Sequence, residues 1–206
     1  MNIDDVQLLN NDIPYSVYEM AVSSRVVSID IETTGLDWNV DKMATCQICI
    51  PNKFIGIVRV DDDNIGNNLI NIINNSGIAK IFHYAVFDLR FFVNKWAAEP
   101  SNIICTKICS KIVSPDEKDH SLKGLLKKYL NVEIDKTQRL SDWTISLNEE
   151  QIEYAVKDVL YLYDLYKSLD VNLENLGRRG LARAAFEFVP TRVVLDIIGS
   201  GDVMSY

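Results

Sequence analysis

The chain has 206 residues, 48% hydrophobic and 24% charged, with nine glycines, five prolines and no low-complexity tract, a profile that excludes disordered and fibrous classes and leaves enough chain for a substantial core in one domain. A formal net charge of −8 argues against a protein that coats long nucleic acid through a broad basic surface. The first residues, MNIDDVQLLNNDIPY, carry acid where a signal or transit peptide needs base, and no run approaches the roughly 20 apolar residues of a membrane span; a cytoplasmic protein without membrane contact is expected.

Along the chain, RVVSIDIE (25–32) alternates, with Val27, Ile29 and Ile31 on one side and Ser28, Asp30 and Glu32 on the other, which predicts a half-buried strand. MATCQICI and KFIGIVRV, separated by Pro51 and Asn52, predict two antiparallel strands. Helical spacing at Ile65, Leu69, Ile72 and Ile73 predicts a helix over 64–74, stopped by Gly77 and followed by a strand at AKIFH. Dense apolar residues from Tyr84 to Lys95 predict a mostly buried helix. Further helices are expected at 106–113, at 121–130 opening on Ser121, at 148–169 opening on a capping-box pair Asn148 and Gln151, and at about 172–188. Strands first and helices later predict an α/β domain, a mixed sheet whose first strands are antiparallel, flanked by helices and helical in its C-terminal half.

The four cysteines include a Cys-x-x-Cys pair, Cys46 and Cys49, a spacing that can hold zinc or form a redox disulfide. In a strand, however, positions three apart point to opposite faces, and Cys105 with Cys109 belongs to a helix, so buried reduced thiols are the better reading. Residues 121–140 carry Lys123, Lys127, Lys128, Lys136 and Arg139 against only Glu133 and Asp135. That is either a local basic patch or a solvated helix face.

Asp30 and Glu32, two apart on a strand, project from one face. Two anions in one place repel and shift a pKa upward unless a divalent cation joins them, and the alternative is an exposed acidic strand end. Asp88 lies in the apolar run HYAVFDLRFF, where an ionised side chain is costly without a cationic or protonated partner. Asp158 sits in IEYAVKDVLYLYDLY with Tyr154 one helical turn before it, so phenol and carboxylate can converge.

Together SIDIETTGL, HYAVFDLRFF and YAVKD, with DHSLKGLLKKYLNV, DKTQRLSDW and LNEEQIEYAVKDVLYLYDLY in the same order, resemble the DEDDy 3'-5' exonucleases in their RNase D-like form over about residues 25–170. IFHYAVFDL, CTKICSKIV and ARAAFEFVPTRVVLDIIG are similar to the compact subgroup called nanoRNase C. The resemblance implies an RNase H-like 3'-5' exonuclease fold. Residues 1–206 are then expected to form one exonuclease domain, with 171–206 a helical C-terminal extension that packs on its own domain or on a neighbour; the residues after 170 are too few for the helical HRDC domains that follow in RNase D proper. Cys105-Thr106 departs from the Asp-Thr of many relatives, and the metal carboxylates are untouched by the change.

What the resemblance implies for function is metal-dependent 3'-5' exonucleolytic hydrolysis of very short single-stranded RNA, dinucleotides in particular, to nucleoside 5'-monophosphates, in a ring-like octamer. Two divalent ions, Mg2+ or Mn2+, would be held by Asp30, Glu32, Asp88 and Asp158, with Tyr154 orienting or deprotonating the attacking water. Thr33, Gly35 and Leu36 would meet the terminal nucleotide, Leu36 as an apolar wedge or else simply as core. His83 and Phe87 adjoin Asp88, His83 either bonding substrate or serving structurally. Lys136, Gln138, Arg139 and Ser141 are candidate phosphate contacts. The alternatives are a broader exonuclease on longer RNA or DNA and a non-catalytic nucleotide-binding module.

Overall fold

The alternating run at 25–32 becomes the middle of a sheet. In the computed structural model, which describes residues 5–60, 66–135, 138 and 141–205, strands β1 (Gln7–Asn10), β2 (Val26–Thr33), β3 (Met43–Ile50), β4 (Phe54–Arg59), β5 (Ala79–Phe82) and β6 (Ile103–Cys105) form one mixed sheet in the order β1-β4-β3-β2-β5-β6. β2, β3 and β4 are the expected antiparallel run, while β5 and β6 join in parallel. β1 was not foreseen. It precedes them and pairs parallel with β4, and its mostly exposed QLLN carries no alternation that would reveal it.

Helices α1 (Tyr15–Ser24), α2 (Asn67–Asn74), α3 (Ala85–Trp96), α4 (Thr106–Val113) and α5 (Leu122–Leu130) follow the apolar periodicity, except α1, which sequence reasoning also missed. α2 receives a cap from a distance: Asp12 accepts from the N–H groups of Asn68 and Leu69 at 2.9 and 3.0 Å, satisfying donors that a helix N-terminus leaves open. Ser121 caps α5 by accepting from Gly124 N–H.

The single helix expected at 148–169 is two, α6 (Glu149–Leu160) and α7 (Leu162–Asn175), parted at Tyr161. α6 packs on β2, β3 and β4, whereas α7 packs on α4, α5 and β5, and one straight rod cannot serve both. Because Leu162, Leu165, Leu169 and Leu173 continue the helical spacing, the sequence hides the break. The helix expected at 172–188 is likewise displaced. Gly177, at φ +66°, ends α7 in a left-handed turn closed by Arg178 N–H to Leu173 O at 2.8 Å, and α8 runs from Arg179 to Ile197. α8 lies on α3, α4 and β6.

The larger core cluster gathers Val27, Ile29, Ile31, Cys46, Ile48 and Ile81 with leucines of α5 and α7 and with Phe186, Val189 and Val193 of α8. A smaller one puts Cys49, Ile55 and Ile57 against Trp143, Tyr154, Val156 and Val159. β2 is therefore covered on both faces over Val27, Ser28 and Ile29, with Ser28 fully buried, and is half-exposed at Val26 and, towards its C-terminal end, at Asp30, Glu32 and Thr33. All four cysteines are buried free thiols; burial pushes Cys49 up to about 12, out of the range of nucleophiles or ready metal ligands.

Candidate active site

β2 delivers Asp30 and Glu32 at its C-terminal end, on the side away from Ile29 and Ile31. Across the antiparallel pair Asp30 faces Gln47 and Glu32 faces Thr45. Both partners are fully buried, and Gln47 Nε2 donates to Thr45 Oγ1 at 2.9 Å. A register shift between Glu32 and Thr33 stops regular pairing just past the second carboxylate and sends the chain into the 34–42 loop.

The third carboxylate comes from α6. Its start is fixed by a reciprocal capping box in which Asn148 accepts from Gln151 N–H at 2.9 Å and Gln151 Oε1 accepts from Asn148 N–H at 3.1 Å. Gln151 Nε2 also donates to Asp142 O at 3.0 Å, so the residue that starts the helix pins the loop before it. Tyr154 and Asp158 then fall one turn apart on the buried side. One oxygen from each of Asp30, Glu32 and Asp158 lies within 4.8 Å of the other two.

Asp88 reaches the same place by a sharper route. Tyr84, at φ 74°, takes the left-handed conformation and turns the chain from β5 into α3, whose first turn holds Asp88. β5 last pairs with β2 at Ile81 and Ser28. Beyond that point the Ile31 N–H is available, and with the N–H of Asp88 itself it favours the ionised carboxylate. Burial first, then the charge of Asp30 and that of Glu32, outweigh both and hold Asp88 well above the usual carboxylate range. In the metal-free protein its carboxyl keeps its proton more readily than an exposed one.

Tyr154 is only 7% exposed, and its ring lies 5.7 Å from that of Trp143. Its phenol is pushed far above the ordinary value, first by burial and then by the charges of Asp158, Glu32 and Asp30, with a hydrogen bond to Asp158 adding to the effect. Without a cation beside the three carboxylates the phenol holds its proton and donates to Asp158. All the converging ligand atoms are carboxylate oxygens, hard donors that suit Mg2+ or Mn2+, and the mutual repulsion expressed in Asp88 is what a divalent cation relieves. The donor set fits such an ion.

The remaining residues singled out from the sequence are dispersed around this centre. Thr33 Oγ1 donates to Gly35 O at 2.5 Å. Gly35 is packed against Asp41, whose carboxylate a Cβ there would strike at 2.3 Å. Leu36 is 72% exposed, which removes the reading of it as core. His83 Nδ1 lies 2.9 Å from Thr106 Oγ1, a hydroxyl that is also 3.2 Å from Phe82 O. Phe87 is half-buried against Phe91. Gln138 Nε2 donates to Glu150 at 2.9 Å and its Oε1 accepts from Ser141 at 2.5 Å; Lys136 and Arg139 lie outside the described residues. Within the basic run at 121–140, Lys127 is paired to Glu133 at 2.5 Å and Lys128 to Glu117.

As parts of the site, sequence reasoning passed over Thr45, Gln47, Thr106 and Trp143. Thr45 and Gln47 had a usable signal: two polar positions at period two inside an apolar strand, opposite the two acids.

Comparison with known proteins points to one family. A family model described as 3'-5' exonuclease matches residues 8–174. Ribonuclease D of Nitrobacter hamburgensis is 24% identical over 154 residues, 74% of this chain and 40% of that protein; that of Bartonella henselae is 27% identical over 157 residues, 76% of this chain and 38% of the relative. The chain thus spans well under half the length of these curated relatives. Among solved structures, Brucella melitensis NrnC superposes with a TM-score of 0.91 at 33% identity, covering 98% of this chain and 99% of that one. The Brucella protein has also been solved bound to pGG and with bound Mg2+. Escherichia coli RNase D, at 22% identity and a TM-score of 0.77, shares the fold over 94% of this chain and 51% of its own.

Proposed function

The chain belongs to the RNase D-like family of 3'-5' exonucleases, near NrnC, and from that membership we propose that it hydrolyses very short single-stranded RNA, dinucleotides above all, from the 3' end to nucleoside 5'-monophosphates. The observation that carries the reading is the convergence of Asp30, Glu32 and Asp158 within 4.8 Å, with Tyr154 bonded to Asp158 and Asp88 beside them. The pGG-bound Brucella relative, similar over nearly the whole of both chains, supports the short substrate.

In this reading Asp30, Glu32, Asp158 and Asp88 would hold two divalent ions. When bound, Mg2+ or Mn2+ supplies Lewis acidity and makes water a stronger nucleophile at neutral pH. The protein's own residues do the rest. Tyr154, bonded to Asp158, steadies that carboxylate and is placed to orient or deprotonate the attacking water. Leu36, exposed at the tip of the 34–42 loop, is placed to meet the terminal base as an apolar wedge, and Thr33 and Gly35 shape the turn beneath it. His83, beside α3 and in contact with Thr106, either bonds the substrate or holds the turn into the helix.

An octameric assembly forms part of the proposal. Leu181, Val194 and Ile198 on and just after α8 are 63%, 47% and 67% exposed, more apolar surface than one helix leaves to water without a partner. A cytoplasmic location fits the same substrate.

The test compares metal-dependent turnover of a dinucleotide, a seven-mer and duplex DNA by chromatography of the products. Faster hydrolysis of the dinucleotide, abolished by chelation and in an Asp30→Ala, Glu32→Ala double variant, is expected. Equal rates on all three would defeat the dinucleotide assignment, and an unimpaired double variant would defeat the site. Light scattering checks assembly; a single species at the chain mass of 23.4 kDa would rule out the ring.

A further inference from the structure

Loop 34–42 has two kinds of anchor. Its shape is set internally: Asp41 accepts from Asp37 N–H at 2.9 Å and from Thr34 Oγ1 at 3.2 Å, and Asp37 accepts from both nitrogens of Asn39 at 3.0 Å. Its place is set at Trp38. Asn94 Nδ2 donates to Trp38 O at 2.7 Å, and the Arg90 guanidinium stacks on the Trp38 ring with its carbon 4.3 Å from the centroid. Asn94 and Arg90 lie one turn apart on α3, so backbone and side chain of Trp38 are held by one helix face.

Arg90 is in turn gripped by α8. Its Nε donates to Asp196 Oδ2 at 2.8 Å and its Nη2 bonds the same oxygen; the two side chains are 14% and 5% exposed. Arg192 Nε donates to the other oxygen at 3.1 Å and reaches on to Asp202 at 3.2 Å, which balances the buried charges. Only a planar guanidinium can present its edge to a carboxylate and its face to an indole at once. Asp196 is 106 residues from Arg90 and beyond the stretch that the exonuclease family model matches.

We infer that Asp196 and Arg90 are positioning residues for substrate affinity: α8, through the buried ion pair and Trp38, holds the loop that carries Leu36 over the active site. The inference rests on the proposed exonuclease reading and assigns to the C-terminal helix a part in it. Loosening the clamp shifts the loop as a unit, weakens capture of the terminal nucleotide and leaves the carboxylates in place.

Two variants test it in the full chain. Asp196→Asn keeps the volume and removes the ionic grip; Arg90→Lys keeps the charge and removes the stacking fork. Each should raise KM for a dinucleotide about five- to tenfold, on the order of 1 kcal/mol at the terminal nucleotide, with kcat within about twofold. Hydrolysis of bis(p-nitrophenyl) phosphate, which has no base, should be unchanged. Deuterium uptake at 34–42 should quicken about tenfold while β2 is unaffected. Unchanged uptake in both variants overturns the clamp whether or not the protein cleaves RNA, and so does equal impairment of the two substrates. A parent protein that cleaves neither substrate overturns the exonuclease reading, and uptake then still decides the clamp.

Discussion

Replacing Tyr154 by Phe removes one oxygen and leaves the ring stacked 5.7 Å from Trp143. What is lost is a phenol proton held by burial and by three neighbouring carboxylates, bonded to Asp158. A hydrogen bond to a charged group contributes about 1.5–3 kcal/mol, and each 1.36 kcal/mol is tenfold in rate, so kcat should fall by roughly ten- to 150-fold. Burial is the foremost cause of the raised phenol pKa. The rate profile of the parent between about pH 6 and about pH 10 should therefore carry no limb from Tyr154, whose reference value is about 10. Steady-state turnover of a dinucleotide at saturating Mg2+ measures both quantities, and calorimetric Mg2+ affinity should stay within about twofold. A variant as fast as the parent, or an alkaline limb present in the parent and missing from Tyr154→Phe, would refute the donor role and make the phenolate the base.

Asp88→Asn removes a buried charge but keeps an acceptor for Ile31 N–H, so in chelator the variant should melt a few degrees higher, for about 1–2 kcal/mol, while turnover drops by about 100-fold or more; a lower melting point would contradict the burial argument. Lys80 on β5 is fully buried, with Nζ donating to Asn75 O at 2.7 Å, and burial lowers it from 10.5 to about 7. The unfolded chain binds this proton up to its higher value and the folded chain does not, so stability should rise with pH between about 7 and about 10.5, and Lys80→Met should flatten that rise and stabilise the protein at pH 7 by roughly 2–3 kcal/mol after discounting for solvent near Nζ. Urea titrations of parent and variant at both ends of the window check it; a parent whose stability is flat across the window would show the penalty to be absent.

Much of the centre was legible because it is local. Alternation alone put Asp30 and Glu32 on one side of a strand, and a one-turn separation alone put Tyr154 beside Asp158. Asp88 was not legible in that way: its place depends on where β5 stops and on the left-handed turn at Tyr84, and only resemblance suggested it. Thr45 and Gln47 are buried because both faces of the sheet are covered, which a strand's own pattern does not reveal. The division of α6 from α7 at Tyr161 escaped because leucine spacing runs straight through it, and the Arg90–Asp196 pair escaped because it joins segments a hundred residues apart whose only relation is tertiary.

The compensation of Lys127 by Glu133 and of Lys128 by Glu117 bears on substrate length. A nuclease that feeds on long strands offers successive phosphates a rail of unspent cations, so that each added nucleotide brings counterion release and tighter binding. Here Lys127 and Lys128 have their charge taken by acidic neighbours, and Lys157, next to Asp158, is paired with Glu153, on a chain of net charge −8. In the proposed reading, a longer strand meets added repulsion from that charge and the fragment with a single bridging phosphate approaches with the least opposition: selection for smallness would then arise from the field around the site as well as from its walls.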